Sequence, residues 1–525
     1  MRESNVSTFL SGKDNTNSSA GNGVNLYFHS YTYFPYEKEL ARREVRKVAC
    51  VSKFTETAGC IRLPVDVDTR NLRRLTYIAR VVSAQGRFST IQNELEESHR
   101  RVAGIGRRQA TRYSVHGLHE YKGRFNPQIV RFLLNYFGAT KRMKTLDPFC
   151  GSGTTLVEAA FQGMTAVGVD MNPLAAFLSN AKLRALETPA REIQEALQAV
   201  LRSLRRTRRR RISQTDDTRL AYLQKWFPAE TLALIESVRT SIREHGGRAE
   251  PVLLALASDL LRSHSLQEPS DLRIRRRISP FPEESLLTAL EIKAAAFIRS
   301  LGEAQEVTGL LMLDSEAVVE DSRELPKALE RKSLPSRYEL VITSPPYATA
   351  LPYIDTQRLS LVWLGLCCAE EIRRLDADAV GSREIRSETT DWRTRLADNA
   401  DNLPPQLASL CRKLQTSLSS KDGFRRQAVP TLIYRYFADM HRAFVGLAGV
   451  LSQNAKLAFV VGSNHTTLGG RRFDINTPDA LGLIAGAVGF CVKEVISLQA
   501  YQRYGLHQKN SIRGESLTIM EWPKG

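Results

Sequence analysis

The sequence contains no apolar run approaching the roughly 18 residues of a membrane span, so a membrane-spanning role is not expected. Its seven cysteines, at 50, 60, 150, 367, 368, 411 and 491, form no CxxC pair. No His/Cys group has zinc-finger spacing, so free thiols in a reducing, cytoplasmic setting are the economical expectation. The first residues, MRESNVSTFLSGKDNTNSSAGNG, lack the apolar centre of a secretory signal, and export is not expected. Internal repeats are absent, and the composition excludes a collagen, a mucin, a coiled-coil rod and a fully disordered chain. Acidic residues are in deficit: Lys and Arg number 74 against 56 Asp and Glu, a formal net charge of +18. That balance favours a polyanionic partner, most simply nucleic acid.

What is present is a 525-residue chain, 42% hydrophobic and 25% charged, long enough to bury a large core without disulfides. Residues 1–24 read as a disordered lead. Residues 25–110 run from an aromatic-rich stretch into an amphipathic helix and have no assignable role. KTLDPFCGSGTTLVEAAFQGMTAVGVDMNP (144–173) then reads strand, glycine turn, helix, strand, which is a βαβ unit. Residues 191–310 carry helical periodicity broken by two basic runs, at 205–211 and 273–277. Strand patterns return at 316 and in YELVITSPPY (338–347). Residues 366–430 are polar and helical or irregular. A helix (433–451), a strand (457–464), a helix (478–488) and two strands (491–499 and 515–522) close the chain. Alternating strands and helices predict one α/β sheet interrupted by two insertions.

Two motifs carry chemistry. In Asp147-Pro-Phe149-Cys-Gly151-Ser-Gly153-Thr154, a strand delivers a glycine turn and then a helix. Glycines let backbone approach a ligand closely, and a helix N-terminus offers free N–H groups. The spacing lacks the third glycine of the dinucleotide fingerprint. Asp170, ending the next strand, is suited to accept hydrogen bonds from two ribose hydroxyls. The bland alternative is a tight βα turn with a surface aspartate. In Ser344-Pro345-Pro346-Tyr347, two prolines that cannot donate backbone hydrogen bonds hold the chain extended. Carbonyls, a hydroxyl and an aromatic face are then displayed at the sheet's carboxyl edge.

Together DPFCGSGTT, GVDMNP and TSPPY resemble the S-adenosylmethionine-dependent amino-methyltransferases of DNA. The resemblance implies a Rossmann-like, seven-stranded α/β methyltransferase core built from 111–190, 311–365 and 431–525. Residues 191–310 are then a mostly helical basic insertion, 366–430 a second insertion, and 25–110 an N-terminal extension. It further implies that Asp147, Phe149, Gly151, Gly153 and Thr154 shape the pocket for the cofactor's methionine part, and that Asp170 binds its ribose. Asp321 would reach the adenine amine, with Asp314-Ser315 a rival. Lys122, Phe125, Asn126 and Pro127 resemble the segment that packs on the cofactor. Ser344 Oγ and the Pro345 carbonyl would accept the N–H groups of an exocyclic base amine while Tyr347 stacks on the base. Positioning carries such a reaction, and the base must be flipped out or single-stranded. No Pro-Cys pair exists for C5-cytosine chemistry, and Cys150 is read as packing. The serine of SPPY favours N4 of cytosine over N6 of adenine, and both over an RNA guanine amine.

The expected partners are duplex DNA and, in a restriction–modification or defence setting, a separate nuclease; a tRNA or RNA methyltransferase and a non-enzymatic binder are the rival classes. The arginine runs are read as phosphate contacts and 191–310 as the favoured target-recognition region. Trp226-Phe227-Pro228 is read as core, and His116 with His119 as lacking the third ligand of a metal site. Tyr353 and Asp355, or Asn464 and His465, would wall the substrate site or cap loops.

Overall fold

The computed structural model describes residues 23–64, 67–103, 108–206, 217–271, 274–348, 354–384, 389–499 and 514–523. An N-terminal sheet is formed by β1 (Val24–Phe28), β2 (Thr55–Glu56), β3 (Cys60–Leu63), β4 (Ile78–Ser83) and β5 (Gly86–Ser89), in the order β2-β3-β1-β4-β5. Every pairing in it is antiparallel. The helix Pro35–Val48 starts on a proline, where a missing N–H costs nothing, and lays Leu40, Ala41 and Val45 inward. Val45 joins Val24, Leu26, Ile61, Leu63, Ile78 and Val81 beneath that sheet. The amphipathic helix was legible in the sequence. The sheet was not, because its strands are two to six residues long and separated by irregular loops.

The main sheet comprises β6 (Lys144–Asp147), β7 (Thr165–Asp170), β8 (Glu316–Val319), β9 (Tyr338–Thr343), β10 (Leu451–Gly462), β13 (Cys491–Gln499) and β14 (Gly514–Glu521). A hairpin, β11 (Asn464–Leu468) with β12 (Arg471–Ile475), follows β10. The strand order is β13-β14-β10-β9-β6-β7-β8. β6 to β10 pair in parallel, and β14 lies antiparallel between β10 and β13. This is the Rossmann-like, seven-stranded arrangement expected from the motifs.

Parallel strands covered on both faces need apolar residues in succession, and period-2 geometry deals them to opposite sides. Leu340 and Ile342 pack with the helices Pro127–Tyr136, Thr154–Phe161 and Pro173–Glu187. Val341, between them, packs with the helices Val429–Ala448 and Thr477–Val488 on the other face.

Residues 191–310 are helical as expected, with Ala190–Arg206, Ala229–His245, Glu250–Asp259 and Leu286–Thr308 as the main elements. Residues 366–430 hold the shorter helices Ile372–Asp378, Thr389–Asp398 and Pro405–Thr416. Among the described residues, no helix is long and apolar enough to cross a membrane. All seven cysteines are unpaired.

Candidate active site

Chain order brings β6 and β9 side by side, with β7 and β10 continuing in opposite directions. Crevices at the carboxyl ends of strands form where the order reverses in this way. Asp147 at the end of β6 accepts a 2.6 Å hydrogen bond from the Thr343 hydroxyl at the end of β9, tying the two strands across that point. Its same oxygen accepts the Phe149 N–H at 3.1 Å. Asp147 is buried and does not line the cleft; it shapes the floor beneath Phe149. Burial pushes its carboxyl up to about 6.

The glycine turn that follows needs its glycines. Gly151 and Gly153 have φ of +49° and +78°, a left-handed conformation that costs other residues energy. A Cβ on Gly153 would stand 2.7 Å from Ser179 Oγ and 2.8 Å from its Cβ. Ser179 Oγ in turn donates to the Gly151 carbonyl at 2.9 Å. The buried Lys182 Nζ donates to the Ser152 carbonyl at 2.6 Å and its hydroxyl at 3.1 Å. Thr154 opens the helix Thr154–Phe161 and is buried, so neither it nor Gly153 reaches the cleft. Cys150 is buried against Gly168, where an added Cβ would lie 2.8 Å from its sulfur, as expected of a packing residue.

Asp170 ends β7 with its carboxylate in the cleft. One oxygen accepts the Gly151 N–H and the other the Asn172 N–H, both at 2.9 Å. Burial nevertheless pushes its carboxyl up to about 6.

The cleft offers about 880 Å³ of open space and is bordered by Phe149, Gly151, Asp170, Asp321 and all four residues of Ser344–Tyr347. Asp321 caps a short helical turn through the Arg323 N–H at 2.9 Å, and its carboxylate is forked by the Arg323 guanidinium, the nearest contact being 2.7 Å. Burial would raise its carboxyl, but the guanidinium outweighs burial and holds it below the ordinary range. The rival pair lies elsewhere: Asp314 is exposed, and Ser315 Oγ accepts the Ala166 N–H at 2.9 Å, at the amino end of β7.

The Ser344–Tyr347 turn is fastened at three points. The Tyr347 hydroxyl donates to Glu515 on β14. The Asn464 side-chain amide donates to the Ala348 carbonyl. Gly381, at φ +76°, lies against the Tyr347 carbonyl, which an added Cβ would approach to 2.7 Å. Asn464 therefore braces the loop, and His465 follows it with its N–H on Asn464 Oδ1 at 2.8 Å. Asp355 pairs with Arg358 at 3.3 Å, before the helix Arg358–Leu364; Tyr353 lies outside the described residues.

The 118–127 segment contributes differently from the expectation. Tyr121 and Gly123 border the cleft, and Tyr121 packs on the turn, 3.3 Å from where a Gly151 Cβ would be. Phe125 packs into the main core, and Asn126 caps the helix Pro127–Tyr136 by accepting the Gln128 N–H at 2.9 Å. Lys122 pairs with Glu120 at 2.6 Å. The segment turns at Lys122–Gly123, where Gly123 has φ of +74°, so which of its residues face the cleft depends on a backbone path that the sequence alone does not show. Leu375, Ala379 and Val380 of the second insertion also border the cleft and carry no sequence signal.

Other singled-out residues are internal. His116 and Arg131 both contact the buried Glu158, at 2.8 and 2.7 Å. His119 lies 3.4 Å from Asp259. Among the described residues, no His, Cys, Asp and Glu cluster has metal-holding geometry. Phe227 is buried core and Trp226 lies under the Arg276 guanidinium, at 4.8 Å. Arg276 and Arg277 donate to the Lys225 and Ser263 carbonyls, so that basic run is tied within its insertion. Residues 207–211 and 273 lie outside the described residues.

A side-chain-free turn, a strand-end carboxylate able to take two hydroxyls, and apolar walls fit S-adenosylmethionine. With this strand order they fit the Rossmann-like fold on which S-adenosylmethionine-dependent methyltransferases are built. Residues 118–214 match the RMKL-like methyltransferase domain family. The chain is 28% identical over 285 residues to the type II methyltransferase M.BsoBI of Geobacillus stearothermophilus, covering 48% of this chain and 53% of that one. It is 24% identical over 431 residues to the type II methyltransferase M.AvaI of Nostoc sp., covering 75% and 84%. It is 42% identical over 71 residues to M.MjaII of Methanocaldococcus jannaschii, covering 13% of each. The match to M.BsoBI thus spans about half of that relative's length. The chain is thus similar to type II methyltransferases, and its 118–214 segment to a methyltransferase domain.

Proposed function

We propose that the protein transfers the methyl group of S-adenosylmethionine to an exocyclic base amine in DNA, at N4 of cytosine, as the modification activity of a restriction–modification system. The observation that carries this reading is the shared cleft: Ser344-Pro345-Pro346-Tyr347 faces Gly151, Asp170 and Asp321 across it. The type II relatives support DNA as the substrate.

When bound, the cofactor supplies an electrophilic methyl on a sulfonium. The chain's part is positioning. Asp170 would hold the ribose hydroxyls, and Phe149 and the Gly151 turn would border the methionine part. Asp321, its charge steadied by Arg323, retains acceptor capacity toward the adenine amine. An exocyclic amine is a weak nucleophile because its lone pair enters the ring. The Ser344 hydroxyl and the Pro345 carbonyl accept its two N–H bonds and free that lone pair. Tyr347 supplies the aromatic face for the flipped base. Pro345 and Pro346 have no N–H to compete for those acceptors. The methylated nitrogen sheds its surplus proton to water, the Ser344 hydroxyl only accepting the N–H hydrogen bond until then.

The test is Ser344→Ala with unmethylated plasmid DNA. Methyl transfer should fall at least ~100-fold, the cost of losing a placed acceptor, while cofactor affinity by calorimetry is unchanged. Wild-type transfer by the variant would remove Ser344 from the mechanism.

A further inference from the structure

The N-terminal sheet has a second face that the core does not use. Val24, Leu26, Ile61, Leu63, Ile78 and Val81 turn inward. Strand alternation sends their neighbours outward. Register places Arg62, Asn25, Val82 and Arg87 side by side across four strands. The next row on the same face is Cys60, Tyr27, Arg80 and Ser89.

Arg62, Arg80 and Arg87 are exposed, and none of them has a carboxylate partner among the described residues. Arg62 Nε donates to the Asn25 side chain at 3.1 Å, and the Arg80 guanidinium lies 4.7 Å over the Tyr27 ring. The strand acid Glu56 pairs with Ile61, on the inner side, and is bound by Arg42 at 2.6 Å. Among the described strand residues, the outer face carries positive charge alone.

Its dimensions suit a phosphate backbone. Arg62 and Arg87 are three strand spacings apart, about 14 Å, and Arg80 is offset by two residues, about 7 Å. The only aromatic, Tyr27, is already covered by Arg80. The face therefore lacks the free stacking platform on which single strands are bound. What it presents is three guanidinium groups of the kind that neutralise phosphates.

We propose that this sheet face binds the phosphate backbone of duplex DNA, as a surface separate from the catalytic cleft. The choice of DNA rests on the proposed function; the phosphate chemistry does not.

The test is fluorescence anisotropy with a labelled 30-base-pair duplex, without cofactor, across a salt series. The wild type should bind with a steep salt dependence. The triple variant R62A/R80A/R87A should bind at least tenfold more weakly at low salt. Its log–log salt slope should be smaller by about 2 to 3, close to 0.9 for each phosphate no longer neutralised. Arg87→Ala alone, on the edge strand, should lower the slope by about 0.9, and serves if the triple variant does not fold. Wild-type affinity and slope in a folded variant would overturn the proposal, as would a wild-type protein that does not bind the duplex. Binding of a structured RNA instead of the duplex would also overturn it. Methyl transfer is not read, so the two proposals fail separately. Arginine-dependent duplex binding without transfer to DNA refutes the proposed function and keeps this one.

Discussion

The Tyr347 hydroxyl donates a hydrogen bond to the Glu515 carboxylate, which fastens the aromatic ring of the Ser344–Tyr347 turn to strand β14. Glu515 is half-buried, and burial raises its carboxyl above the usual range while the tyrosine hydroxyl opposes that rise. The two residues are 168 apart in the sequence. Tyr347→Phe keeps the stacking face and loses the fastening; Glu515→Ala loses it from the other side. Each should lower kcat about tenfold, the worth of one hydrogen bond of about 1.4 kcal/mol. The double variant should be no worse than either single one, because both remove the same hydrogen bond. Glu515→Gln keeps an acceptor and should restore most of the rate. Additive losses in steady-state kinetics would show that this hydrogen bond does not act through the ring.

Asp170 should give cofactor binding a pH dependence. Its carboxyl lies near 6, raised by burial, and the ionised form is the better acceptor for ribose hydroxyls. Affinity measured by calorimetry should therefore rise from pH 5 and level off above about 7. Asp147 titrates in the same range, so the decisive variant is Asp170→Asn. It should bind weakly at every pH, with the step gone. A step that survives belongs to Asp147.

Asp147 itself bears on stability. Its folded pKa, about 6, lies above the unfolded value near 3.9. Such a group favours the folded state at low pH, and that contribution is lost as pH rises through about 6. Its hydrogen bonds from Phe149 and Thr343 both fall on one oxygen, which an asparagine retains. Asp147→Asn should thus melt at a higher temperature than the wild type at pH 8, with the difference shrinking toward pH 4. A lower melting temperature at pH 8 would show that the ionised carboxylate is needed to hold β6 to β9.

Gly153→Ala should be costly. It combines φ +78° with a Cβ 2.7–2.8 Å from the Ser179 side chain. Strain of this kind is worth about 1–3 kcal/mol, readable by urea denaturation. Ser179→Ala in the same chain should recover part of the loss. No recovery would locate the cost in the backbone angle and in the contacts with Ser179 Cβ and Cα, 2.8 and 3.0 Å away, which alanine keeps.

How much of this was legible follows from which contacts are local. β6, the glycine turn and β7 form one contiguous βαβ unit, so their order was readable from local pattern, while the roles expected of Asp147 and Gly151 came from the resemblance. The apolar runs of β9 and β10 stood out because strands covered on both faces need unbroken hydrophobic stretches. The N-terminal sheet did not stand out: β2 has two residues, and its pairing is fixed only by tertiary contact. Glu515, Asn464 and Gly381 touch the Ser344–Tyr347 turn and Ala348 from 34 to 168 residues away; Asn464 stood out by its place just after a strand, while nothing in the neighbourhoods of Glu515 and Gly381 marks them. Tyr121 was missed for a different reason. Its segment was recognised, but the residues facing the cleft depend on the backbone path, and Phe125 and Asn126 turn to the core and the helix cap instead.

The measurement closest to the central claim is identification of the methylated nucleoside. Unmethylated plasmid DNA and total RNA are incubated in parallel with the protein and tritiated-methyl S-adenosylmethionine, and the labelled polymer is digested and its nucleosides weighed. N4-methylcytosine from DNA is the predicted product. N6-methyladenine would keep the Ser344–Tyr347 mechanism and change the base; label confined to RNA, or at a ring carbon, would contradict the account.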